Sequence, residues 1–123
     1  MGDLGKHFNR SEFQCRCGCG RDTVDSELID VLDAIREEFG LPVFVSSGHR
    51  CYTYNASIGG STGSQHLYGR AADFSIKGVS PIDIAKFIDS RYGNKYGLGI
   101  YASWVHIDTR TDGPARWGQL TEL

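Results

Sequence analysis

Leu28, Val31, Leu32, Ile35 and Phe39 recur at steps of three and four along the chain, with charged residues between them. Residues so spaced share one face of a 3.6-residue turn, so the pattern predicts an amphipathic helix from about Asp25 to Phe39, ended by Gly40. The pattern then changes. Pro42-Val43-Phe44-Val45-Ser46-Ser47 is filled with β-branched and aromatic residues and closed by Gly48, which predicts a buried strand. Ala71 to Ile76 predicts a second strand. Ser80 as cap, Pro81 at the first helical position and Asp83 three residues after the cap open a second helix that runs to about Arg91, with Ile84, Phe87 and Ile88 toward the core. Glycines at 93, 97 and 99 punctuate a turn, after which Leu98 to Ala102 and Trp104 to Thr109 predict an antiparallel pair around a tight turn at Ala102-Ser103.

Between the first two strands, His49 to Gln65 is rich in Tyr, Asn, Ser and Gly and shows neither period, so it predicts a long surface loop of the kind that often carries function. This order of elements gives an α+β fold: an antiparallel sheet with two main helices, in one domain over residues 1–123, of which 1–20 form an amino-terminal arm with a Cys-rich segment.

Composition narrows the function. A chain of 123 residues with 40% hydrophobic content supports one modest core. Its net charge of −2 gives no basic face for nucleic acid, and a monomer is expected. No apolar run is long enough to span a bilayer, and Met1 to Asn9 lacks the apolar stretch of a secretory signal. Of the four cysteines, Cys15, Cys17 and Cys19 share one short segment and Cys51 stands apart. Free thiols, disulfides and a structural zinc site all compete; the spacing differs from the usual Cys-x2-Cys knuckle, which ranks zinc below the other two. Nothing pairs any of the four with a base, so a cysteine nucleophile ranks last.

The chemistry concentrates elsewhere. Ser64-Gln65-His66-Leu67-Tyr68-Gly69-Arg70-Ala71-Ala72-Asp73 sets a histidine seven residues before an aspartate, and Val105-His106-Ile107-Asp108 follows. His66, Asp73 and His106 are a ligand set for one catalytic zinc, which takes three protein ligands and keeps a fourth position open for water. Asp73 lies in an otherwise apolar strand, where a carboxylate is costly unless paired or bound to a metal. Arg50 is the candidate to stabilise an oxyanion or to anchor a peptide carboxylate. In a strand, residues two apart share a face, so Asp108 points the same way as His106, on an exposed sheet face beneath the long loop. Asp108 is then either the general base or an acceptor that orients the ligand histidine. His7, on a mobile arm, and His49, facing opposite to Arg50, are expected as non-ligands.

These motifs, with Phe8-Asn9-Arg10-Ser11-Glu12-Phe13, Ser46-Ser47-Gly48-His49-Arg50, Asn55, Gly59-Gly60, Gly97-Leu98-Gly99-Ile100-Tyr101, Thr109-Arg110 and Ala115-Arg116-Trp117, cover nearly the whole chain. In order and spacing the chain resembles the zinc-dependent peptidoglycan peptidases related to D-alanyl-D-alanine carboxypeptidases, which share a core fold with the amino-terminal domain of sonic hedgehog. The resemblance implies a zinc metallopeptidase, of D,D-carboxypeptidase or endopeptidase type, acting on peptidoglycan peptides. Small members of this kind are common in bacteriophages and bacteria. The family's His, Asp, His triad falls on His66, Asp73 and His106, and its arginine before the long loop on Arg50; Ser64, Gln65 and Tyr101 join Arg50 as candidate substrate contacts. Several relatives carry an acidic general base three positions before the last zinc histidine, where this chain has Ser103, which leaves Asp108 as the substitute. A non-catalytic, zinc-stabilised wall-binding or virion module is the alternative that this departure permits. Synthesis in the cytoplasm, with a phage-type lysis route or virion delivery to the wall, is the expectation for localisation.

Overall fold

The computed structural model describes residues 3–113 and 115–118. Helix α1 (Ser26–Phe39) starts after Asp25 and ends at Gly40, whose φ of 63° is the left-handed conformation that closes a helix. Strand β1 (Phe44–Ser47) follows, then a short helix α2 (Tyr52–Ser57), a 3-10 turn over Gln65–Tyr68, strand β2 (Ala71–Ser75), helix α3 (Pro81–Tyr92), and strands β3 (Gly97–Ile100), β4 (Val105–Asp108) and β5 (Ala115–Gly118). The sheet order is β1-β2-β4-β3-β5. The fold is α+β, as the hydropathy pattern predicts.

Every strand places alternate side chains on opposite faces, and the two faces have different tasks. Val45, Ala72, Phe74, Leu98, Ile100, Val105 and Ile107 point into a core shared with Leu28, Leu32 and Ile35 of α1 and Ile84 and Ile88 of α3. Burying each large apolar side chain contributes roughly 1.5–3 kcal/mol, several times the net worth of a typical hydrogen bond, so this face fixes the sheet against the helices. The opposite face carries Asp73, His106 and Asp108.

Four features differ from the sequence expectation. The stretch His49 to Gln65 is not a plain loop: it contains α2, capped by the Cys51 sulfur, which accepts from the Tyr54 N–H at 3.4 Å. Cysteine is an unusual cap, and six residues are too few to display a period. The sheet is not wholly antiparallel, because β5 adds parallel to β3 at the edge. The arm is not loose either: Phe8 and Phe13 are buried edge-to-face at 5.9 Å, and His7 sits 3.3 Å from Glu37 Oε2. Finally, the site histidines are sunk at the floor of a cleft rather than displayed on an exposed face, with His66 and His106 at 2% and 8% exposure.

Candidate metal centre

Asp73 on β2 lies directly across from His106 on β4, and Ala71 across from Asp108, so the antiparallel register brings both acids and the histidine onto one face. A β-bulge between Val45 and Ser47 turns Ser47 toward Asp73 on the other side. The neighbouring positions on β3 are Gly97, opposite Asp108, and Gly99, opposite His106. Both are glycine for space: a Cβ on Gly97 would collide with the Asp108 carboxylate, and one on Gly99 with the Trp117 indole. His66 reaches the same face from the 3-10 turn, where the Ser64 hydroxyl accepts from the His66 N–H at 3.2 Å and Gly69 closes the turn at φ 71°.

Proton bookkeeping defines the centre. His66 Nδ1 lies 2.7 Å from the Gly48 carbonyl oxygen, which can only accept, so the proton is on Nδ1 and Nε2 is a lone pair. His106 Nε2 lies 2.7 Å from Asp108 Oδ2, which places the proton there and leaves Nδ1 as a lone pair. Both bare nitrogens face the same atom, Asp73 Oδ1, at 3.2 and 2.9 Å. Three acceptors thus converge with no proton among them while the imidazoles are neutral, an arrangement that asks for a cation. The edges of a tetrahedron with zinc–ligand bonds of 2.0–2.1 Å measure about 3.3 Å, close to these separations. The donors fit such an ion.

The two imidazoles differ in their electrostatics. Burial pushes His66 below the usual histidine range, and the nearby Asp73 only partly offsets it. Burial also opposes protonation of His106, but its contacts with Asp108 and Asp73 outweigh that and raise it. Asp73 and Asp108 are both held well below the carboxylate range despite burial, Asp73 by the two imidazoles and Asp108 by Arg110 and His106. Both carboxylates are therefore ionised, the form a metal ligand or its supporting acceptor must have.

Arg50 joins the cluster. Its Nη2 donates to Asp73 Oδ2 at 3.1 Å, its Nη1 to Asn55 Oδ1 at 3.2 Å and its Nε to Ser47 Oγ at 3.0 Å. It thus holds the outer oxygen of Asp73 and still lines the open cleft, of about 580 Å³, above the three ligands. Ser64, Gln65 and Tyr101 line the same cleft, and Gln65 Oε1 is buried with no partner among the described residues. Tyr101 stacks on Trp104 at 4.4 Å, and its oxygen accepts from Trp117 Nε1 at 2.6 Å. His49 lies apart from the cluster, its Nδ1 accepting from the Thr23 N–H at 3.0 Å.

Asp108 does not reach the cleft. It is fully buried, with Oδ1 bound by the backbone N–H and Nε of Arg110 at 3.2 and 2.8 Å, and Oδ2 by His106 and by Arg110 Nη2 at 2.7 Å each. With every contact spent behind the imidazole, it has the geometry of an orienting acceptor and not of a base, which must touch the water it deprotonates. Arg110 and Trp117 are the site residues that the ligand chemistry missed. Arg110 clamps Asp108 and lies 5.5 Å over the Trp117 ring, which packs 5.0 Å from His106. The order His-x-Asp-x-Arg over 106–110 is in the sequence, but β4 ends at Asp108, so strand period alone does not place Arg110.

The tightness beneath Asp108 carries a prediction. Gly97→Ala forces a methyl against the buried carboxylate, so overpacking of about 1–3 kcal/mol is expected as a lowered denaturant midpoint. An unchanged midpoint would contradict the packing described.

Comparison with known proteins assigns the chain to a family. A 43-residue stretch, 34% of this chain, is 44% identical to the zinc D-Ala-D-Ala carboxypeptidase of Streptomyces albus G, and it covers 17% of that protein's length. The family model described as Peptidase M15 matches residues 6–108, a span that holds Arg50, the three clustered donors and Asp108. The chain belongs to the Peptidase M15 family.

Proposed function

We propose that the protein is a zinc-dependent hydrolase that cleaves an amide bond in the stem or cross-link peptides of peptidoglycan. The observation that carries this reading is the convergence of two bare imidazole nitrogens on one carboxylate oxygen at 3.2 and 2.9 Å, at the floor of an open cleft. Zinc, when bound by His66, Asp73 and His106, supplies a Lewis acid for the scissile carbonyl and a water whose pKa falls to about 7.

The chain's own residues supply the rest. Gly48 and Asp108 fix the tautomers of His66 and His106, and Arg110 fixes Asp108. The two carboxylates and the guanidiniums of Arg50 and Arg110 balance in formal charge, so a dication leaves the cleft net positive and favours a substrate that carries a carboxylate. Peptidoglycan stem peptides do. Arg50, with three N–H groups engaged and two without protein partners among the described residues, is the group to meet that carboxylate or a developing oxyanion. The Tyr101 oxygen already accepts from Trp117, which leaves its own proton to donate to substrate.

Tyr101→Phe removes that donor while keeping the stack on Trp104, and its cost is one hydrogen bond: up to about tenfold in kcat/KM, with the zinc content unchanged. Equal kinetics would remove Tyr101 from the substrate contacts. The bond itself is identified by incubating purified protein with peptidoglycan, with and without a chelator, and reading the products by mass spectrometry. Zinc-dependent release of free D-alanine marks a D,D-carboxypeptidase. New amino termini on larger fragments mark a D,D-endopeptidase or an L-alanyl-D-glutamate endopeptidase. No zinc-dependent product at all would overturn the proposal.

A further inference from the structure

We propose that Cys15, Cys17, Cys19 and Cys51 form a second, structural zinc site that clamps the amino-terminal arm to the wall of the cleft. The four sulfurs lie within 4.8 Å of one another, although Cys51 is more than thirty residues away in the chain. The Cys15 and Cys17 sulfurs are 3.5 Å apart, and those of Cys17 and Cys51 3.7 Å apart. With zinc–sulfur bonds of 2.3 Å, the edge of a tetrahedron is about 3.8 Å. Two disulfides need only two close pairs, each at about 2.05 Å, and do not require one sulfur to stand near all three others. Here the Cys17 sulfur touches those of both Cys15 and Cys51.

The backbone is shaped for this cluster. Gly18, between Cys17 and Cys19, and Gly20, directly after Cys19, have φ of 86° and 89°, a conformation that L side chains rarely adopt. The Cys15 N–H donates to the Arg21 carbonyl at 2.7 Å and closes the neck of the loop. Two backbone N–H groups point at sulfur: Cys51 N–H at the Cys15 sulfur and Tyr54 N–H at the Cys51 sulfur, each at 3.4 Å. Such donors offset the charge of metal-bound thiolates. Four cysteines fill a tetrahedron and leave no open position, which is the mark of a structural and not a catalytic zinc.

The position gives the site its effect. Cys51 directly follows Arg50, and the His49 N–H between it and Gly48 donates to the Phe13 carbonyl of the arm at 2.8 Å. The clamp therefore steadies the corner that presents both Arg50 and the Gly48 carbonyl that sets the His66 tautomer. This inference does not depend on the peptidase reading.

Metal analysis of the full chain, purified with reductant, separates the possibilities. About two zinc ions are expected per wild-type chain, about one in His66→Ala/His106→Ala and about one in Cys17→Ser/Cys19→Ser. Cobalt substitution adds a readout that does not involve activity: the sulfur-to-cobalt charge-transfer band should persist in the histidine variant and vanish in the cysteine variant. Cys17 and Cys19 are exposed, so their replacement spares the core. Should the cysteine variant nevertheless unfold, the band in wild type and in the histidine variant still decides. Absence of that band in both, or cysteine-variant zinc equal to wild type, or thiols that titrate as disulfides in the purified protein, would each overturn the proposal.

Discussion

Replacing His106 by alanine should reduce hydrolysis of wall peptides by at least about a thousandfold, because a metal contributes several kcal/mol to such a reaction and each 1.36 kcal/mol is a factor of ten. The effect is large because His106 has three partners at once. Its Nδ1 faces Asp73, its Nε2–H is spent on Asp108, and its ring supports Trp117. Alanine removes one of three ligands and strands a buried carboxylate with Arg110 alone. Zinc content and turnover measured together on folded protein check this: both should fall. Turnover near wild type with the zinc lost would mean that the chemistry lies elsewhere.

The second large effect is that of Asp108→Asn, and its form matters more than its size. An orienting acceptor behind a ligand histidine is worth 10–100-fold in metal affinity or activity, so zinc should bind about that much more weakly. The neutral amide also breaks the paired contact with Arg110. Activity at limiting zinc should fall with occupancy and recover as zinc is added in excess. A general base behaves otherwise: its removal leaves zinc affinity unchanged and turnover lost at every zinc concentration. The full burial of Asp108 and its four contacts favour the first outcome. Zinc titration of activity in the variant separates the two.

What could be read from the chain follows from which interactions are local. Helix α1 has a period and a glycine stop, α3 has Ser80 and Pro81, and the β3–β4 pairing follows from alternation around Ala102-Ser103, so each is written in adjacent residues. The facing of His106 and Asp108 is equally local, a consequence of strand period. The site's other half is tertiary. The 3-10 turn that delivers His66, the grip of Arg50 on Asp73 and the glycines that make room for Asp108 and Trp117 all depend on partners distant in sequence. Helix α2 stayed hidden because its cap is a cysteine sulfur, and β5 because three half-buried residues and an exposed glycine at an edge leave no hydropathic trace. The arm hid its packing in the same way, since Phe8 and Phe13 follow neither period. The four cysteines are the sharpest case. Their spacing argues against a zinc knuckle, yet Cys51 arrives from the other end of β1 to complete the set.

Amide hydrolysis is proposed to run on a metal held by His66, Asp73 and His106. Its most direct test is the release of new amino groups from purified peptidoglycan by wild-type protein as purified, after chelation, and after zinc is restored, beside Asp73→Ala treated identically. The predicted result is activity that is present, lost and regained in the wild type and absent throughout in the variant. Equal release by wild type and Asp73→Ala, indifferent to chelator, would contradict it.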